Sequence, residues 1–370
     1  MGPLIIKIIG NNELCDLIQE ELCDKITEDL EPDIELNLDS DSFFNSYQPT
    51  HYSGKDTMNF NKSEYFVGYL EYLNYIVKHP FSSEKLSLYI QLKQQSISFR
   101  AKKKILSLKK VEFSNLNRLI KSFILSYAVF WNVYQLSLLK KNFSFIHGSS
   151  FQKGQNGFLL TGTGGSGKTS IGMELLKQKE IKYLSEDFAI IGSDGNSYYN
   201  PKSISLYRTD INKGDSITSQ AIENLSPELK RKWKLLTSVS SQNQLVKIPP
   251  SILFDNEKIG SACKLNKLFY LTRENCTAIS FNELSSDEFV ERSIQASLVE
   301  MKFLNEVLKR IIANSPLTYS YKSDFQISEE MKNIYKKAIS NSNCYIVHIP
   351  KKESAKNVVN YLIDKNLIDV

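Results

Sequence analysis

The chain has 370 residues, with 46 Lys and Arg against 41 Asp and Glu, and its 41% apolar and 24% charged fractions are those of an ordinary globular protein. Sixteen glycines and ten prolines exclude collagen-like and low-complexity readings, and a net charge of +5 over this length is too mild to point to nucleic acid. The five cysteines are odd in number and form no C-x-x-C pair, which fits reduced thiols better than a disulfide framework or a zinc site.

This length accommodates about two compact domains. The first segment, residues 1–112, reads as a smaller α+β domain. Residues 3–9 form an apolar run interrupted by Lys7, without a cleavage site, and predict a strand rather than a targeting signal. Glu13–Leu30 predicts a helix, and the Asp-, Ser- and Asn-rich stretch 31–61 predicts loops. The aromatics Tyr65, Phe66, Tyr69, Tyr72 and Tyr75 read as core rather than as a stacking surface for bases. Alternating apolar residues from Leu86 to Phe99 predict a β-meander, and the basic cluster Arg100–Lys104 after it reads as a solvated turn. Residues 113–140 predict a connecting buried helix. Its uncharged part, Ser122–Leu139, approaches membrane-span length, but five interspersed Ser, Asn and Gln residues favour a helix packed on a sheet. No membrane span and a soluble, cytoplasmic chain are therefore expected.

From residue 141 to 370 the pattern changes to short apolar runs separated by helical stretches, which points to an α/β layer architecture. Strands are expected at Phe143–Ile146, Phe158–Thr161, Ile181–Leu184, Phe188–Ile191, Leu268–Leu271 and Tyr345–Ile349. The polar stretch 201–250 reads as an insertion or lid-like region. Helices are expected at 287–314, 329–340 and 353–367.

One motif carries chemistry. Gly162, Thr163, Gly164, Gly165, Ser166, Gly167, Lys168 and Thr169 satisfy G-x-x-x-x-G-K-[ST] in full, with a strand before and a helix beginning at Ser170. In such a loop backbone N–H groups turn toward phosphates, the lysine reaches the β/γ-oxygens and the Thr hydroxyl can ligate Mg²⁺. No LSGGQ-like segment and no D-x-x-G appear, and Asn212–Asp215 (NKGD) lies too near the loop to serve as a GTPase base-reading motif. Glu186 and Asp187 follow Lys168 by 18 and 19 residues, between two short strands. Paired acids there could divide the tasks of holding the metal and accepting a proton from an attacking hydroxyl. Arg208 and Arg273 follow strands and could clamp a phosphate, although surface positions are the commoner place for arginine.

The run Phe145-Ile-His-Gly, the P-loop, and Leu184-Ser-Glu-Asp followed by Ala189-Ile-Ile resemble the HPr kinase/phosphorylase superfamily, in particular HPr-kinase-like proteins of peptide-modification and polysaccharide clusters. The resemblance covers residues 140–365 in layout and is specific over 145–191. It implies a P-loop domain of phosphoenolpyruvate-carboxykinase-like type, and phosphoryl transfer from ATP with Mg²⁺ to a hydroxyl, usually a serine, of a peptide or protein. A sugar or nucleoside acceptor, or a nucleotide-binding switch without transfer, are the alternatives; nucleic acid is not an expected partner, and a homo-oligomer is compatible with the reading. The resemblance places Lys168, Glu186, Asp187 and His147 in the catalytic group. The P-loop with Ser170 then binds the nucleotide, and Thr169 with Asp187 holds the metal. The family pair is usually Asp-Asp, the family carries Glu where Ser170 stands, and its second signature motif is absent from this chain.

Overall fold

The computed structural model describes residues 3–10, 15, 18, 31–38, 58–59, 65–69, 73–78, 86–92, 130–207, 227, 230, 245–301 and 324–368. They build a mixed α/β molecule around two large sheets. The first sheet contains β1 (Ile6–Ile9), β2 (Ile34–Asn37), β3 (Met58–Asn59), β4 (Tyr65–Tyr69), β5 (Leu73–Lys78) and β6 (Leu86–Leu92), in the order β1-β2-β6-β5-β4-β3. β1, β2 and β6 run parallel, and β6 through β3 are antiparallel. The aromatic run at 65–77 thus forms a hairpin, and β2 lies inside the stretch expected to be loop-rich. Of the predicted helix 13–30 only Cys15 and Ile18, both helical and buried, are described; the basic cluster 100–104, Arg208 and most of the connecting helix lie outside the described residues.

Helix α1 (Trp131–Lys140) ends the connecting stretch. Among the described residues no helix is long and apolar enough to cross a membrane. Trp131, Tyr134 and Leu138 of α1 belong to one core with Ile34, Leu36, Leu88 and Ile90 of the first sheet. Lys141, just past the helix, also pairs with Asp33. Each such side chain contributes about 1.5–3 kcal/mol when fully buried.

The second sheet is built from β7 (Phe143–Lys153), β8 (Asn156–Thr161), β9 (Ile181–Ser185), β10 (Phe188–Gly192), β11 (Asn196–Tyr198), β14 (Ala262–Glu274), β15 (Ser280–Leu284) and β16 (Asn343–Pro350). β12 (Ile204–Tyr207) and β13 (Leu245–Ile248) form a separate two-stranded ribbon at the borders of the 201–250 stretch, most of which lies outside the described residues. Only β8, β14 and β16 are mutually parallel; the others enter antiparallel, so the sheet is mixed rather than doubly wound throughout. The pairings β7–β8–β14–β11–β10–β7 form a closed circuit.

Helix α2 (Lys168–Leu175) and helix α6 (Ala355–Asp364) cover one face of this sheet; α4 (Ser286–Glu300) and α5 (Asp324–Ile339) cover the other with α1, and α3 (Pro250–Leu253) is a single turn. The period-2 pleat of β8 serves both faces: Phe158 and Leu160 pack toward α2, and Leu159 toward the opposite core. Buried residues thus fill both sides of a three-layer sandwich. A capping box starts α4, with Ser285 accepting from Glu288 N and Glu288 bonded back to Ser285 N.

At Gly148 β7 passes close against β8: a Cβ there would lie 2.7 Å from the Leu160 carbonyl oxygen. Gly148→Ala should lower stability by about 1–3 kcal/mol, the usual cost of overfilling a packed site, read from the urea midpoint of the purified protein.

Candidate functional site

The carboxyl ends of the parallel strands β8, β14 and β16 lie at one edge of the sheet, the usual place for ligands in α/β folds. The P-loop leaves β8 at Gly162 and enters α2 at Lys168. Gly162 has φ +143°, and a Cβ there would stand 2.5 Å from the Leu271 carbonyl oxygen, so only glycine fits. Lys168 is 7% exposed. Its ammonium donates to the carbonyls of Gly162 (2.9 Å) and Thr163 (3.1 Å) and reaches Ser166 Oγ at 3.4 Å. Burial lowers its pKa, while the charges of Asp187, Glu186 and Glu300 act in the opposite direction.

Glu186 and Asp187 join β9 to β10, and the two strands lie end to end along β7, with Ser185 opposite Ser150 and Phe188 opposite His147. Asp187 takes a left-handed backbone, φ +69°, which Asp tolerates better than most side chains. This break in the pleat interrupts the alternation that would send neighbouring carboxylates to opposite faces, and both act electrostatically on Lys168. The hydroxyl of Thr169 donates to Glu186 Oε1 at 2.5 Å. Asp187 turns the other way: its Oδ2 accepts from Lys202 Nζ at 3.1 Å, and its Oδ1 lies 3.3 Å from His147 Nδ1. The structure therefore brings the P-loop, both acids and His147 together, and it pairs Thr169 with Glu186, where the sequence expectation paired it with Asp187.

The two acids have opposite electrostatics. Burial, then the charge of Asp187, pushes the Glu186 carboxyl up to about 7. Burial acts in the same sense on Asp187, but the Lys202 ammonium and the neighbouring His147 ring outweigh it and hold that carboxyl well below the usual range. Thr169 and Glu186 are hard oxygen donors, and Glu186 Oε2 is buried without a hydrogen-bond partner. That set suits Mg²⁺, which takes one or two protein oxygens and fills its shell with water and phosphate. Among the described residues no group of three His, Cys, Asp or Glu side chains could hold a metal alone.

Lys202 carries no sequence motif and was not an expected site residue. It is 1% exposed, lies 4.9 Å from the Phe188 ring centroid, and has its backbone N–H fixed by Asn200 Oδ1 at 3.1 Å. Asn200 in turn donates to the Phe188 carbonyl at 2.7 Å. His147 is 6% exposed; its backbone N–H donates to Ser297 Oγ at 3.0 Å, and neither ring nitrogen makes a well-aligned hydrogen bond, Nδ1 only standing near Asp187. Arg273 braces the loop rather than waiting for phosphate: it donates to the carbonyls of Ser166, Pro350, Lys351 and Glu353. No protein-family model matches the chain, and no curated protein matches it.

The raised Glu186 pKa sets a direction for stability. The folded state holds this proton more tightly than the unfolded chain, so stability is lost as pH rises from the ordinary carboxyl value toward about 7. Without nucleotide or Mg²⁺, Glu186→Gln should therefore gain in melting temperature relative to the parent protein between pH 4.5 and 7, with the difference level above 7. A difference that is flat across this range would contradict the assignment.

Proposed function

We propose that this chain is an ATP- and Mg²⁺-dependent kinase that transfers the γ-phosphoryl group to a hydroxyl, most simply a serine of a peptide or protein. The observation that carries the reading is the 2.5 Å contact between Thr169 and Glu186, which sets the acidic pair against the P-loop instead of elsewhere on the sheet. It is supported by the resemblance of residues 145–191 to the HPr-kinase-like superfamily and by the mixed α/β frame around them.

In this reading the P-loop amides and Lys168 receive the phosphates, and Thr169 with Glu186 holds the metal, which when bound neutralises phosphate charge. Lys168 must leave the carbonyls of Gly162 and Thr163 to reach the phosphate oxygens. Asp187 accepts the acceptor's proton. Lys202 and His147 keep it ionised and oriented at neutral pH. A weak base suffices, because positioning and electrostatics dominate a loose phosphoryl-transfer transition state. A switch that binds nucleotide without transferring it is the second reading, favoured by the prior engagement of both Asp187 oxygens.

The test incubates the protein with γ-labelled ATP, Mg²⁺ and size-fractionated cell extract. Label should enter an acceptor fraction whose size separates protein or peptide from metabolite. Lys168→Ala and Asp187→Asn should each cut transfer by about 100-fold or more. ATP binding without any transfer would favour the switch.

A further inference from the structure

The P-loop faces an unexpected anion. Glu300, in the last turn of α4, accepts from the Gly164 backbone N–H at 2.6 Å through Oε1. Both its carboxylate oxygens lie 3.1–3.2 Å from the place a Gly164 Cβ would occupy, so the group rests on the loop itself. Glu300 and Gly164 are both exposed, but the turn of helix that carries Glu300 is anchored. Three residues earlier on the same helix, fully buried Ser297 accepts from the His147 N–H at 3.0 Å and bonds Tyr335 at 3.2 Å. Tyr335 in turn donates to the Phe145 carbonyl at 2.6 Å. Residues i and i+3 share a helix face, so the turn that is fixed to β7 through Ser297 delivers Glu300 to the loop.

Two groups of the P-loop that would meet phosphate are already engaged. The lysine meant for phosphate is bonded to loop carbonyls, and an N–H on the loop is bonded to a carboxylate. Backbone amides of such a loop cradle phosphate, and a carboxylate offers the same planar pair of anionic oxygens that a phosphate edge does. Gly164 lies four residues before α2 opens at Lys168, so a phosphate bound by the amides at the helix start would leave the Gly164 N–H to a phosphate farther along the chain.

We infer that Glu300 is a specificity-determining residue of the nucleotide site: its carboxylate holds the outer rim of the P-loop in place of a terminal phosphate, and has to be displaced before a nucleoside triphosphate docks fully. The inference rests on the nucleotide-site part of the proposed function and is independent of whether transfer follows. The added negative charge of a third phosphate meets Glu300; a diphosphate, ending deeper in the loop, meets it less. If the contact were only a structural latch, its loss would loosen the loop and weaken both nucleotides.

The experiment measures binding of Mg²⁺–AMPPNP and Mg²⁺–ADP by calorimetry to the parent protein, Glu300→Gln and Glu300→Ala. The first variant removes the charge and keeps an acceptor oxygen; the second removes both. Both should bind AMPPNP about tenfold more tightly than the parent, equivalent to ~1.4 kcal/mol, with ADP changed by less than about threefold and the melting temperature preserved. AMPPNP bound no more tightly by either variant, or AMPPNP and ADP tightened equally, would overturn the role of Glu300 while leaving the nucleotide site standing. Binding of neither nucleotide by any of the three proteins would overturn both readings.

Discussion

Two carboxylates adjacent in the link between two strands repel one another, and burying either is costly unless a cation or a proton compensates. Here the compensation is divided. Lys202, itself almost fully buried and seated against Phe188, answers Asp187, whereas Glu186 is left to its proton or to whatever cation joins Thr169. Asn200 fixes the geometry by bonding both the Lys202 N–H and the Phe188 carbonyl. Without that ammonium the kinked backbone at Asp187 would hold two anions against a single P-loop lysine. The division of labour between the acids thus follows from one side chain supplied by the segment just after β11.

The frame beneath it explains why so many elements converge. β8 lies between β7 and β14, with a core on either side, and the P-loop is the only exit from its carboxyl end. Arg273 at the end of β14 ties the loop to the turn after β16, while α4 reaches it from the opposite face. Each contact uses a backbone group of the loop, so the geometry does not depend on which side chains the variable positions carry.

Much of this was legible in the sequence, for identifiable reasons. The strand before the P-loop, the helix after it and the apolar runs at 143–146, 188–191 and 345–349 follow periodicity and length, and they appear where expected. Strand direction was not legible: alternating strands and helices suggest parallel pairing, yet β9 and β10 run antiparallel to β7, because the chain returns along one edge. The hairpin at 65–78 was hidden by dense aromatics that suit either helix or strand. Lys202 stands in an unremarkable Asn-Pro-Lys run, and lysine is rarely buried, so nothing local announces its partner. Glu300 ends an ordinary amphipathic helix; only the crossing of α4 over the loop gives it meaning. Motifs record contacts close in sequence, whereas Asp187–Lys202 and Gly164–Glu300 are made by the path of the chain.

The apolar core that links Ile34 and Leu88 to Trp131 and Phe188 constrains how the molecule can diversify. A recombination event that replaced the first sheet would strip cover from Trp131 and Tyr134, one helix away from the strand that carries His147. An incoming segment would have to arrive with side chains that refill that face. The first sheet is therefore no interchangeable cassette: its apolar face and that of α1 have to fit one another.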